Sequence, residues 1–291
     1  MRVGALLPQV EIGPDPGALR EWARAVEDLG YSHVASYEHI LGAERSDRPA
    51  WWRGVYDIND QWHEILTVFA ALASVTKRLG FASSILVLPL RQTALVAKQA
   101  VELDLLCGGR LRLGVGIGWN HVEFEALGME FRDRARRMEE QIEVLRLLWT
   151  NERVEYRGRY HRIDRAGLKP LPAQPIPIWI GADAENAVKR AARIADGWFP
   201  YLQPDAEGRA RLERFHQYAR EAGRDPASIG LEGRVGAAKR TPEEWVRLAE
   251  GFRDLGFGWL QFNTMRAGFA TLDQHIDALR RFRDGAKHLF D

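Results

Sequence analysis

Short apolar runs alternate along the chain with longer stretches whose apolar residues recur every three or four positions. Residues 2–7 form the first run and read as a buried strand. Leu19, Trp22, Val26 and Leu29 then share one helical face and stop at Gly30. Residues 32–36 predict a second strand, followed by a turn-rich aromatic stretch over 42–60. Ile65, Val68, Phe69, Leu72 and Val75 mark the next helix. The third strand covers 79–88 up to Pro89, and its helix runs over 93–106 to Gly108-Gly109. Residues 111–115 make the fourth strand, and Met138, Ile142, Leu145 and Trp149 give the helix after it one apolar face.

Residues 153–161 alternate around Gly158 as a small hairpin does, and Pro170, Pro172, Pro175 and Pro177 then hold an extended connector. The remaining units follow without a break: strand 176–180 with helix 183–195, strand 197–201 with a helix within 205–222, strand 229–235, and strand 259–263 with a helix over 272–282. The helix after 229–235 starts at Thr241-Pro242, a threonine cap with proline at the first helical position. Eight strand–helix units predict a parallel sheet closed into a (β/α)8 TIM barrel, one domain over 1–291 with insertions near 40–60 and 152–175. A doubly wound open sheet is the alternative and usually has fewer strands. A barrel places functional groups at the carboxyl ends of its strands.

Composition narrows the function classes. With 46% apolar and 28% charged residues, the chain is neither disordered nor collagen-like. Its 41 basic and 40 acidic residues leave a net charge of +1, which marks neither a nucleic-acid nor a membrane-surface binder. Cys107 is the sole cysteine, so no internal disulfide or thiolate metal cluster forms, and a reducing cytoplasm is expected. The apolar run at 3–7 is closed by Pro8 and is too short for a signal-peptide core.

Several strand ends carry candidate chemistry. The second strand ends in Tyr37-Glu38-His39: a histidine there exchanges protons near neutral pH, or it only bonds locally. Glu38 either orients that imidazole or, by strand alternation, faces the helix layer. Ser83 and Ser84 break the apolar pattern of a buried strand. They pack locally, or the strand is irregular beside a ligand. Gly116 and Gly118 form a tight turn and do not complete a dinucleotide fingerprint, because His121 stands where the last glycine belongs. Gly181-Ala182 opens onto a helix N-terminus that can hold an anion, with Asp183 as that helix's cap. Trp51, Trp52, Tyr56 and Trp62 form a lid or pack their loop onto the body. Arg234, Asn263 and Thr264 end the last two strands, facing a substrate or satisfying the backbone.

The stretches Leu79-Gly80 to Leu90-Arg91, Ala97-Lys98-Gln99, Leu103-Asp104, Gly108 to Trp119, Pro175 to Ala182, and Ala191, Ala195 and Asp196-Gly197-Trp198 carry a resemblance. Over most of its length the chain resembles the bacterial luciferase-like family of flavin and deazaflavin oxidoreductases. The resemblance implies a flavin-type cofactor at the carboxyl face of the barrel. It implies a non-proline cis peptide, which alignment on Pro89 and Arg91 assigns to Ser84-Ile85, lying against the ring. It also implies a proton-exchanging or charge-stabilising histidine at His39, a phosphate loop at Gly181-Ala182, and cofactor contacts from the turn at Gly118-Trp119-Asn120. Asn120 stands where relatives usually have an acid or a small polar group, and it is a candidate ligand without charge. Arg45, Arg48 and Arg53 either meet the acidic tail of the deazaflavin coenzyme F420 or belong to a solvated loop.

Two chemistries follow. With F420 the enzyme is a reductase or dehydrogenase that moves a hydride to or from a small substrate. With reduced FMN it is an O2-using monooxygenase. The Glu38-His39 pair and the overall pattern favour F420. A non-redox barrel enzyme is disfavoured because no lysine stands at a clear strand end. A non-catalytic flavin-binding protein is disfavoured because His39 is retained. A homodimer is expected from the resemblance.

Overall fold

Each predicted apolar run becomes a stave of one parallel sheet. The structure, a computed structural model, describes residues 1–48 and 56–291. Trp51, Trp52 and Arg53 lie outside the described residues. In chain order the elements are β1 (Arg2–Leu6), α1 (Pro16–Asp28), β2 (His33–Ser36), α2 (Ile65–Ala73), β3 (Gly80–Ser83), β4 (Leu86–Val87), α3 (Thr93–Leu106) and β5 (Leu111–Gly116). There follow α4 (His121–Ala126), α5 (Arg134–Thr150), β6 (Val154–Arg157), β7 (Arg162–Ala166), β8 (Ile178–Ala182), α6 (Glu185–Ile194) and β9 (Gly197–Pro200). The chain ends with α7 (Ala206–Glu221), β10 (Gly230–Gly236), α8 (Pro242–Asp254), β11 (Trp259–Asn263) and α9 (Leu272–Gly285).

The sheet closes. β1 pairs in parallel with β2 on one side and β11 on the other, and the ladder runs on through β3, β5, β8, β9 and β10. β3 and β4 both pair with β5 and are two halves of one stave, so the described residues build an eight-stave barrel. Hydropathy alone reads the third strand as one run over 79–88. It is interrupted at Ser84-Ile85, where the peptide is cis, as the resemblance implied. The hairpin lies outside the barrel, and its second strand falls later than the alternation suggested, with residues 158–161 as the turn.

Local chemistry explains where helices begin. Asp15 accepts from the Gly17 amide ahead of Pro16, Asp205 caps α7, and Thr241 with Glu244 forms a reciprocal box at α8. Asp183 does not cap α6. That helix starts two residues later behind Ala184, and the Asp183 carboxylate instead accepts from Arg211 of α7. The core lies between staves and helices, with Trp22, Trp198, Phe69, Phe215 and Phe252 fully buried.

Inside the barrel the packing is unusually polar. Glu232 of β10 accepts from Arg112 of β5 at 2.6 Å and pairs with His33 of β2 at 2.9 Å. The Arg112 guanidinium lies 3.7 Å from the Trp259 ring centroid and 4.7 Å from that of Trp179. Glycines clear the space. A Cβ on Gly4 would fall 2.2 Å from the His33 imidazole, and one on Gly197 would fall 2.1 Å from Trp179. Burial pushes the Glu232 carboxyl up, but Arg112 and His33 outweigh it and hold the group at about 2. Burial likewise keeps His33 below the ordinary histidine range.

Candidate active site

Above this polar layer, at the carboxyl ends of the staves, a cleft of about 330 Å3 opens. Its wall includes Ser84, Ile85, Val87, Gly116, Gly181 and Phe199. Ile85 shapes the floor: a Cβ on Gly116 would lie 2.6 Å from its Cδ1, and one on Gly181 would lie 2.8 Å from its Cγ2. Both glycines are therefore needed to seat Ile85. Gly118 adopts φ +70°, where a side chain would also meet Val87. Below the floor, Gln261 Nε2 donates to Ser84 Oγ at 3.0 Å and connects the cleft to the buried charges.

His39 stands at the edge of the cleft, largely buried, among Tyr56, Trp62 and Trp119 at ring-centroid distances of 5.3, 5.2 and 5.5 Å. Tyr56, from the aromatic loop, thus walls the cleft, and Trp62 packs against it and His39. Gln9 secures that wall: its amide donates to the Tyr37 carbonyl at 2.8 Å and accepts from the His63 amide at 2.9 Å.

The carboxylate beside His39 is Glu123 of α4, not Glu38. Glu123 Oε2 lies 3.3 Å from Nδ1, while Oε1 accepts from the Ile40 and Leu41 amides at 2.6 and 3.2 Å. A carboxylate at Nδ1 assigns the neutral ring's proton to that nitrogen and leaves Nε2 without a partner among the described residues. Glu38 turns away to the Arg91 guanidinium, which Glu64 shares at 2.9 Å. Burial raises the Glu38 carboxyl above the usual range against the pull of Arg91.

Other expected ligands are placed as follows. Ser84, Ile85, Gly118, Gly181 and Ala182 line the cleft. Asn120 does not, because its Oδ1 caps α4 through the Val122 amide and its Nδ2 donates to the Leu41 carbonyl. Arg45 pairs with Asp57 at 3.1 Å and Arg48 donates to the Glu44 carbonyl, so both have contacts within their own loop. Arg234 lines the cleft, while Asn263 accepts from the Met265 amide and Thr264 contacts His275.

Glu123, Arg91, Arg112, Glu232 and Gln261 were missed in the sequence. Glu123 meets residues 39–41 across 82 to 84 positions of chain, so no local spacing marks its role. A stronger signal went unused: opposite charges at Arg112 and Glu232 inside two strands that must be buried.

A sequence model of the family described as luciferase-like monooxygenase matches residues 1–286. The chain belongs to this family. An uncharacterised protein from Mycobacterium tuberculosis is 37% identical over 244 residues, covering 79% of this chain and 83% of that protein. An F420-dependent glucose-6-phosphate dehydrogenase of Nakamurella multipartita is 32% identical over 188 residues, covering 63% of this chain and 51% of that protein. An FMNH2-dependent dimethylsulfone monooxygenase of Pseudomonas fluorescens is 36% identical over 140 residues, covering 47% and 38%. Among solved structures, a monooxygenase from Streptomyces bottropensis superposes with TM-score 0.79 at 19% identity, covering all of both chains. An F420-dependent secondary alcohol dehydrogenase also gives 0.79, at 18% identity and 98% coverage of both chains. These structural matches show that the luciferase-like barrel fold is shared.

Proposed function

We propose that this luciferase-like oxidoreductase binds coenzyme F420 in the cleft and transfers a hydride between it and a small organic substrate. The carrying observation is a single cleft that combines a main-chain and aliphatic floor at Ser84 and Ile85 with an imidazole whose Nδ1 is held by a buried carboxylate. Its volume lies at the lower end of ordinary small-molecule sites, and a planar ring suits a wall built from Ile85, Val87, Gly116 and Phe199. When bound, the deazaflavin supplies a carbon centre that gives or takes a hydride.

The residues do the rest. With the cofactor bound, the floor and Gly118 would receive the ring, and Gly181 and Ala182, which line the same cleft, would meet its phosphate. Tyr56, Trp62 and Trp119 pack around the His39 ring and would limit water at the reacting edge. In a reduction, protonated His39 gives the Nε2 proton to the substrate atom that gains negative charge. In an oxidation, neutral Nε2 takes the proton from the substrate hydroxyl. Glu123 fixes which nitrogen does this, and Glu38 serves His39 only by anchoring its strand end to Arg91.

Several relatives named as F420-dependent dehydrogenases favour this cofactor, while the Pseudomonas relative supports reduced FMN as the second reading. The test is fluorescence titration of the purified protein with each cofactor. F420 binding at least about 10-fold tighter than FMN supports the proposal, and preferential FMN binding replaces it with the monooxygenase reading.

We further propose that residues 1–291 act as one catalytic domain in the cytoplasm, in keeping with a lone cysteine, and as a homodimer. Leu95, Leu105 and Leu106 of α3, exposed at 53, 45 and 61%, offer an apolar contact for a second copy. Light scattering checks the dimer. No helix among the described residues is long and apolar enough to cross a membrane.

A further inference from the structure

Charges around the cleft are almost all accounted for inside the protein. Glu38 and Glu64 share Arg91, Asp183 pairs with Arg211, Asp60 pairs with Arg266, and Glu123 is saturated by two amides and His39. Arg234 breaks the pattern. It stands near the carboxyl end of β10, lines the cleft, and has no carboxylate partner among the described residues. Its guanidinium lies 5.0 Å from the Tyr37 ring centroid and 4.7 Å from that of Tyr201. Nη1 donates to the Tyr201 hydroxyl at 3.0 Å, and Nε is buried with no hydrogen-bond partner.

This leaves donor capacity unmet. Nη1 is engaged by Tyr201 and the buried Nε donates to no protein group, while a guanidinium has a forked set of N–H groups that matches the two oxygens of a carboxylate. A guanidinium beside two aromatic rings, without a counter-anion, is stabilised when a ligand brings one. Beyond Tyr201 and Arg234 a second hollow of about 260 Å3 continues along Leu202, Gln203 and Gly208, so there is room for the body of a ligand seated at this arginine.

We propose that Arg234 seats a carboxylate of the substrate, so that the compound oxidised or reduced at the His39 edge is an organic acid. The substrate would then lie between two fixed points: its anionic end on the Arg234 guanidinium and its reacting atom at the ring. Tyr37 and Tyr201 both lie within about 5 Å of the guanidinium and form the aromatic surround of the subsite. This assignment rests on the redox reading above, but its test reads out separately.

The test is calorimetric titration of the intact protein, alone and saturated with F420, using benzoate, its neutral isostere benzamide, and inorganic phosphate as probes. Wild-type protein is expected to bind benzoate at least about 10-fold tighter than benzamide and tighter than phosphate. Arg234→Gln removes that preference while F420 still binds. Arg234→Lys keeps the charge without the fork and loses about 10-fold for benzoate; this variant carries the test if Arg234→Gln does not fold. Equal binding of benzoate and benzamide by wild type overturns the proposal, as does a benzoate affinity unchanged in Arg234→Gln. Preferential binding of phosphate, or loss of F420 binding in Arg234→Lys, overturns it in favour of a contact to the cofactor's own phosphate. A protein that prefers benzoate but binds neither F420 nor FMN keeps the acid subsite and refutes the redox reading instead.

Discussion

Glu232→Gln changes one buried atom type and tests whether the charged layer beneath the cleft supports the barrel. In the wild type the carboxylate holds Arg112 at 2.6 Å and His33 at 2.9 Å, and the side chain is inaccessible to solvent. The amide keeps the shape but removes the only carboxylate that pairs with Arg112 among the described residues. Leaving one buried charge without its partner costs about 3–5 kcal/mol. The titration behaviour leads to a similar figure. A carboxyl held at about 2 in the fold and at 4.5 when unfolded contributes about 3 kcal/mol near neutral pH. Because the folded value is depressed, this contribution is complete above about pH 4.5 and is lost as pH falls through about 2. A chain of this length has an unfolding entropy for which such a loss lowers the melting temperature by roughly 5–10 °C. Calorimetric melts of wild type, Glu232→Gln, Arg112→Gln and the double variant measure it. The double variant should be more stable than the sum of the single losses predicts, by about 1 kcal/mol or more, because it buries no orphaned charge. A Glu232→Gln shift under 2 °C, or strict additivity, refutes the reasoning.

The remaining predictions concern the cleft and the staves beneath it. His39→Ala should retain F420 binding while hydride transfer in single-turnover absorbance measurements slows by about 10²–10⁴-fold; unchanged turnover removes His39 from the chemistry. Glu123→Gln can keep its one oxygen on the Ile40 and Leu41 amides but then sets an NH2 donor against His39 Nδ1 and loosens the imidazole, so turnover should fall about 10²-fold with little change in cofactor affinity; wild-type turnover would show that Glu123 is not a positioning residue. Gly114→Ala places a Cβ 1.9 Å from the Ser83 carbonyl oxygen and 2.6 Å from the Phe199 ring, and should cost about 3 kcal/mol or more in urea unfolding. A wild-type urea midpoint would show that this contact relaxes freely.

The order of elements was legible because each is encoded locally. The apolar runs at β1, β5 and β11 and the helical spacing in α1 and α5 survive without any knowledge of partners. Thr241 with Pro242 starts α8 as the local rule predicts. The misreadings share a physical cause, which is competition from residues far along the chain. Asp183 is drawn off its helix by Arg211, Glu38 off His39 by Arg91, and Asn120 into the Leu41 carbonyl. The His33–Glu232 pair spans 199 positions, so no spacing could reveal it. The interruption of the third stave was signalled only by its serines and by the family resemblance, since hydropathy runs straight through residues 79–88.

The most direct test of the account is a structure of the protein with F420 bound. The account predicts a tricyclic ring lying on the Ser84-Ile85 main chain in the mouth of the barrel, its reacting edge facing His39 Nε2. A ring bound in the hollow by α7, or one in the cleft with its reacting edge turned away from His39, would contradict it.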